Sequence, residues 1–190
     1  MSALQRIDLY ATEKIAGWKV RPGNVFTYGP TLVPGGVNFS IFSAVATACS
    51  LVLFDRQTGE RLPEIRLPDS YRVGDVWAIT VFDVDPDRHT YGFRMEGPND
   101  PAAGHRCDPD AILLDPRARA ITGRDRWGET PDHADPYPYR ACIVPEDFDW
   151  RGDRAPDHAI EDLVIYEMHV RGFTQHPTSN AKYRGTYAGL

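Results

Sequence analysis

Residues 162–174 (DLVIYEMHVRGFT) constrain this chain more than any other stretch. Leu163, Val164, Ile165, Tyr166, Met168 and Val170 are β-branched, aromatic or long apolar side chains, set too densely for a half-exposed edge. Such density predicts a strand buried in a parallel sheet. Side chains alternate along a strand, so Ile165, Glu167, His169 and Arg171 share one face and Val164, Tyr166, Met168 and Val170 the other. An acid, an imidazole and a guanidinium are costly to bury together unless they pair, and a polar barrel interior opening onto an active site would accommodate them.

Upstream, from Arg21-Pro22-Gly23 onward, short β-rich runs are punctuated by Gly, Pro and Asp, the pattern of an all-β sandwich. After a turn at Pro34-Gly35-Gly36, Val37, Phe39 and Ile41 alternate with Asn38 and Ser40, which predicts a half-buried strand. Residues 50–54 (SLVLF) read as a fully buried strand, and residues 55–60 (DRQTGE) turn the chain back, with Gly59 free to take a positive φ. A short strand is expected at residues 64–67. In residues 76–81, Val76, Ala78 and Thr80 share one face and Trp77, Ile79 and Val81 the other. Residues 90–96 alternate most cleanly, with Tyr91, Phe93 and Met95 inward and Thr90, Gly92, Arg94 and Glu96 outward. Four to seven such strands over residues 21–105 predict an immunoglobulin-like sandwich.

Residues 1–20 show no clear core pattern and are expected to form an N-terminal arm, with Trp18 and Val20 packing it onto the sandwich. Residues 106–160 hold seven prolines and ten aspartates in fifty-five positions, too many breakers for long regular elements. Leu113, Leu114, Ile121, Phe148 and Trp150 are more apolar anchors than a disordered linker carries, so this segment is expected to be an ordered strap.

These runs carry a family resemblance. Tyr166-Glu167-Met168-His169-Val170-Arg171-Gly172-Phe173-Thr174 resembles the first barrel strand of the isoamylase and glycogen-debranching branch of the α-amylase superfamily, glycoside hydrolase family 13. The run Arg184-Gly185-Thr186-Tyr187-Ala188-Gly189-Leu190 resembles the entry into that barrel's first helix. Arg171-Gly172, where branching and trehalose-releasing relatives tend to have Gly-Ser or Gly-Thr, points to debranching. Residues 36–43 (GVNFSIFS), 74–77 (GDVW) and 91–98 (YGFRMEGP) resemble the family-48 carbohydrate-binding module that precedes the barrel. Residues 108–121 resemble its connector, and residues 144–150 the segment before the barrel. The resemblance implies residues 161–190 as the start of a (β/α)8 barrel, a fold of about 250 residues.

A retaining glycosidase needs two carboxyl groups about 5–5.5 Å apart. The resemblance puts them on the fourth and fifth barrel strands, so no residue of this chain inherits a catalytic role. Glu167, His169 and Arg171, two apart on one strand face, are too close together to flank a sugar and read as a structural ion-pair layer near a barrel mouth. Trp77 and Tyr91 have the ring types on which a glucose stacks, but their strand positions favour the sandwich core over a glycan contact. His105, His133 and His158 lack ligand-like spacing, and Asp132-His133-Asp135 reads as a solvated turn. No metal or cofactor is expected.

The formal net charge of −6 and the lack of a basic patch argue against nucleic acid. Neither a secretion-type apolar stretch nor an 18-residue apolar run occurs, so a cytoplasmic protein without a membrane partner is expected. Cys49, Cys107 and Cys142 are odd in number, without a CxxC, and expected as reduced thiols. Asn38-Phe39-Ser40 matches a glycosylation sequon but reads as a polar strand segment. Two functions fit: the amino-terminal part of an α-1,6-glucosidase acting on glycogen-like α-glucan, with the barrel domain as its missing partner, or a stand-alone α-glucan-binding or scaffolding module.

Overall fold

Alternating apolar side chains build two antiparallel sheets in this chain, whose computed structural model describes residues 10–123, 138–145 and 149–190. In chain order the strands are β1 (Glu13–Ile15), β2 (Trp18–Pro22), β3 (Gly29–Val33), β4 (Gly36–Phe42), β5 (Ala48–Asp55), β6 (Ile65–Arg66) and β7 (Arg72–Val73). They continue as β8 (Val76–Phe82), β9 (His89–Glu96), β10 (Asn99–Asp100), β11 (His105–Arg106), β12 (Ala120–Thr122) and β13 (Arg140–Cys142). One sheet has the order β1-β2-β8-β4-β3 with β7 also paired to β8, the other β12-β13-β9-β5-β6, and β10-β11 form a small ribbon. Two compact units result, Met1–Phe148 and Asp149–Leu190.

The first unit is the mainly β sandwich that the alternation predicts. Phe39, Ile79, Val81 and Trp77 from one sheet and Leu51, Leu53, Tyr91 and Phe93 from the other fill a single core. Burying each large apolar side chain contributes roughly 1.5–3 kcal/mol. Tyr91 packs edge-on against Phe39 and Phe93, at centroid distances of 4.9 and 5.8 Å, the arrangement aromatic quadrupoles favour.

Three expectations need correction. The strand read as half-buried, β4, is buried on both faces: Asn38 and Ser40 are 1% and 0% exposed. Residues 23–28 cross its outer side and bond to both polar groups, which is what makes their burial tolerable. The described part of the N-terminal arm, from residue 10, is more regular than its sequence suggests. β1 and β2 form a hairpin closed by Ala16 and Gly17 at φ 50° and 89°, and β2 pairs with β8 so that Val20 is fully buried. A two-residue turn with both φ values positive has the twist a hairpin needs, and Ala is an unusual residue to supply it. Strand pairing also crosses the expected boundaries at residues 20 and 105, since β2 spans the first and β13 pairs with β9 beyond the second.

Among the described residues of the expected strap, residues 111–118 lie against the sandwich. Leu113 exchanges two backbone hydrogen bonds with Phe93, at 2.9 and 2.7 Å, and Leu114 and Ala118 pack on the core. The strap closes over Gly92, where a Cβ would lie 2.6 Å from Ile112 Cγ2; glycine is what lets it lie flat. Of the other expected anchors, Ile121 and Trp150 are 56% and 66% exposed, and Phe148 lies outside the described residues.

In the second unit the expected barrel strand is not formed. Residues 163–169 make no strand pair among the described residues, and residues Val170–Phe173 are a single helical turn, α1. A parallel strand has no internal hydrogen bonds and exists only with a neighbour. Local bonds take over instead. His169 Nδ1 accepts from the Gly172 amide at 3.1 Å, and Thr174 Oγ1 accepts from the Gly185 amide at 2.8 Å, drawing the 184–190 run back onto the turn.

Candidate functional site

One concavity of the sandwich starts from polar residues within a strand. The Asn38 amide group accepts from the Asn24 backbone N–H at 2.7 Å and donates back to the Asn24 carbonyl at 3.1 Å. The Ser40 hydroxyl donates to the Thr27 carbonyl at 2.6 Å, and Gly23 N–H donates to the Ala78 carbonyl at 3.0 Å. Residues 23–28 are thereby pinned to the sheet at both ends. What they present outward is aromatic: Phe26 is 90% exposed and Tyr28 47%. Phe42, on the same strand face as Asn38 and Ser40, is 58% exposed beside them.

The strap supplies the opposite wall. Asp115 is 4% exposed, and its carboxylate accepts from the Tyr91 hydroxyl at 2.7 Å and from the Arg117 N–H at 2.8 Å. That latch seats Arg117 against Gly29, where a Cβ would come within 3.0 Å of Arg117 Cβ and where φ is +86°, so glycine serves both the approach and the left-handed backbone. Tyr28, Ser40, Ile41, Phe42, Pro116 and Arg117 then enclose a cleft of about 350 Å³. Its lining is largely apolar, with the exposed Arg117 at its edge; that guanidinium forms no ion pair among the described residues.

The residues singled out from sequence fall elsewhere. Trp77 is 1% exposed beneath the Arg72 guanidinium, 5.2 Å from its ring centroid. Tyr91 is fully buried, and burial first, then the adjacent Asp115 carboxylate, drives its phenol well above the ordinary tyrosine range. Neither ring offers a face to a sugar; both are core, and Tyr91 is also the strap's latch. Glu167, His169 and Arg171 are exposed, and no ion pair joins them among the described residues, so the expected polar layer is not assembled here. Without a neighbouring strand nothing aligns them. Asp132, His133 and Asp135 lie outside the described residues; among the described residues no cluster of three or more His, Cys, Asp or Glu side chains has metal-holding geometry. Cys49, Cys107 and Cys142 are free, buried thiols, and burial pushes Cys49 up to about 12.

Sequence reasoning missed Tyr28, Phe42 and the strap wall. One signal was available: with Val37, Phe39 and Ile41 inward, Phe42 must stand on the outer face, an aromatic where a solvated strand would carry a polar residue.

The fold is thus a two-sheet antiparallel β-sandwich with exposed aromatic side chains around a cleft. The model of carbohydrate-binding module 48 (isoamylase N-terminal domain) matches residues 27–118, and that region belongs to this family. Isoamylase 1, chloroplastic, of Arabidopsis thaliana is 42% identical over 170 residues, covering 86% of this chain and 22% of that protein. The glycogen operon protein GlgX homolog of Mycobacterium tuberculosis is 39% identical over 188 residues (90% and 25%), and the glycogen debranching enzyme of Yersinia pseudotuberculosis 40% over 168 residues (82% and 24%). The chain thus spans about a quarter of the length of these relatives. Among solved structures, apo pullulanase from Paenibacillus barengoltzii superposes with a TM-score of 0.59 at 23% identity, over 88% of this chain and 22% of that one, a likeness of fold.

Proposed function

We propose that this chain is the amino-terminal, non-catalytic portion of an α-1,6-glucosidase that removes branches from glycogen or a similar α-glucan in the cytoplasm. The observation that carries this reading is continuity: similarity to an isoamylase, a GlgX homolog and a debranching enzyme runs through 82–90% of the chain, well past the residues 27–118 of the binding module. Residues 161–190 are then the start of a barrel whose later strands supply the carboxylate pair. The exposed Val164, Ile165 and Tyr166 support this, since they are the side chains a parallel neighbour would cover. Reduced, buried cysteines fit a cytoplasmic location.

The test is activity with and without the proposed remainder. The 190-residue chain alone releases no reducing sugar from glycogen, amylopectin or pullulan, and the polypeptide encoded by the reading frame extended beyond Leu190 releases short linear chains from glycogen. Turnover by the short chain, abolished by a substitution within it, contradicts the reading, as does a reading frame that encodes no barrel.

A further inference from the structure

We propose that the cleft between Tyr28, Phe42 and the strap residues Pro116 and Arg117 is an α-glucan contact site on the sandwich, taking a short run of α-1,4-linked glucose. The inference deepens the reading above and rests on it for the sugar class. A glucose ring has apolar C–H faces and a hydroxyl rim, so it needs a flat aromatic or apolar wall with donors at the edge. Tyr28 and Phe42 are 47% and 58% exposed and meet that need on one side, and Arg117, an exposed residue whose guanidinium carries hydrogen-bond donors, lines the other. The cleft, about 350 Å³, lies within the roughly 300–1,000 Å³ range of small-ligand sites.

Preorganisation separates this cleft from a chance gap between exposed side chains. Each wall is held by buried polar groups: Ser40, 0% exposed, fixes the Thr27 carbonyl next to Tyr28, and Asp115, 4% exposed, fixes the Arg117 backbone. Little conformational freedom then remains to be lost when a sugar binds, which favours affinity. Because one wall is the strap, sugar in the cleft also holds the strap in its seat, and its amides should exchange more slowly with ligand present.

The experiment uses the whole 190-residue chain and maltoheptaose. Amide chemical shifts of Gly29, Ser40 and Arg117 should move saturably, and Tyr28→Ala and Phe42→Ala should each weaken binding by about tenfold, equivalent to about 1.4 kcal/mol. Tyr187→Ala, an exposed tyrosine in the other unit, should leave binding unchanged, and unaltered amide spectra of all three variants establish that they fold. Maltoheptaose binding that ignores both cleft substitutions overturns the site while leaving the debranching reading intact. No shift at any concentration also overturns it. So does a cleft silent to sugar whose substitutions instead weaken association with the barrel-bearing remainder, which would make it a protein face. Failure of the longer polypeptide to hydrolyse glycogen, with sugar still bound at the cleft, removes the debranching reading alone.

Discussion

In β9, Tyr91 and Phe93 are 0% and 1% exposed; in residues 163–169, Val164 and Ile165 are 96% and 85% exposed. Both stretches are rich in β-branched, aromatic and long apolar side chains, and both read as strands. They differ in company. β9 pairs along its whole length with β5, from Ala48 opposite Glu96 to Asp55 opposite His89, and takes β13 and Leu113 on its other side. Residues 163–169 have no ladder partner among the described residues. Apolar density thus marks a segment that needs covering, and a strand forms only where another edge and another sheet complete it.

The largest effect that sharpens this contrast is in the core. Phe93→Ala should lower unfolding free energy by about 3–5 kcal/mol, read as a shift of the denaturant midpoint, because a cavity opens where the two sheets meet. A loss under about 1 kcal/mol would mean that the core is looser than its burial indicates.

Alkaline pH tests the same core through protons. Cys49, ordinarily near 9.0, is pushed up to about 12 by burial, and Tyr91 is raised from its usual 10.0 by burial and then by Asp115. With the folded values above the unfolded ones, the unfolded chain releases these protons first. The stabilisation is therefore complete below pH 9 and is lost as pH rises towards 12, by about 1.4 kcal/mol per pH unit for each group in its window. In unfolding curves from pH 8 to 11, Cys49→Ala should delay the decline to the tyrosine range. An unchanged onset near pH 9 would contradict the assignment to Cys49.

A smaller effect belongs to the latch. Tyr91→Phe keeps the ring and removes the hydroxyl that donates to Asp115, leaving a buried carboxylate with one donor fewer, at a cost of about 1.5–3 kcal/mol. Amide exchange at Leu113 and Arg117 should speed up while that of Leu51 stays slow. Equal acceleration everywhere would show that Tyr91 acts only as core.

Smallest of all, Tyr166→Ala should change stability by less than about 0.5 kcal/mol, since 71% of Tyr166 is already in water. A loss of several kcal/mol would reveal packing that this segment does not show.

Much of the sandwich was legible because alternation is a local signal: Val37, Phe39 and Ile41, Trp77, Ile79 and Val81, and Tyr91, Phe93 and Met95 all point into the core as their spacing requires. The outer faces were not. Asn38, Ser40, Thr80 and Thr90 look solvated, yet all four are buried, Asn38 and Ser40 beneath residues 23–28; nothing in a strand's own pattern says what will cross it. The β1–β2 hairpin was missed because it is short and its turn carries Ala16 where Asn or Gly would have announced it. The cleft was illegible for a related reason. It joins Tyr28, Phe42 and Arg117, residues apart in sequence that come together because the Leu113–Phe93 and Asp115–Tyr91 bonds seat the strap while Asn38 and Ser40 hold residues 23–28.

Hydrogen exchange measured residue by residue on the 190-residue chain as a monomer tests most directly whether company decides the fate of an apolar run. Amides of β9 should be protected up to the global stability of the sandwich, since opening them requires separating β9 from β5 and β13. Amides from Val164 to His169, with no ladder partner among the described residues, should exchange near the rate of an unstructured peptide. Protection of Val164 to His169 equal to that of Thr90 to Glu96 would mean that the segment is a paired strand, and the contrast between the two regions would fall.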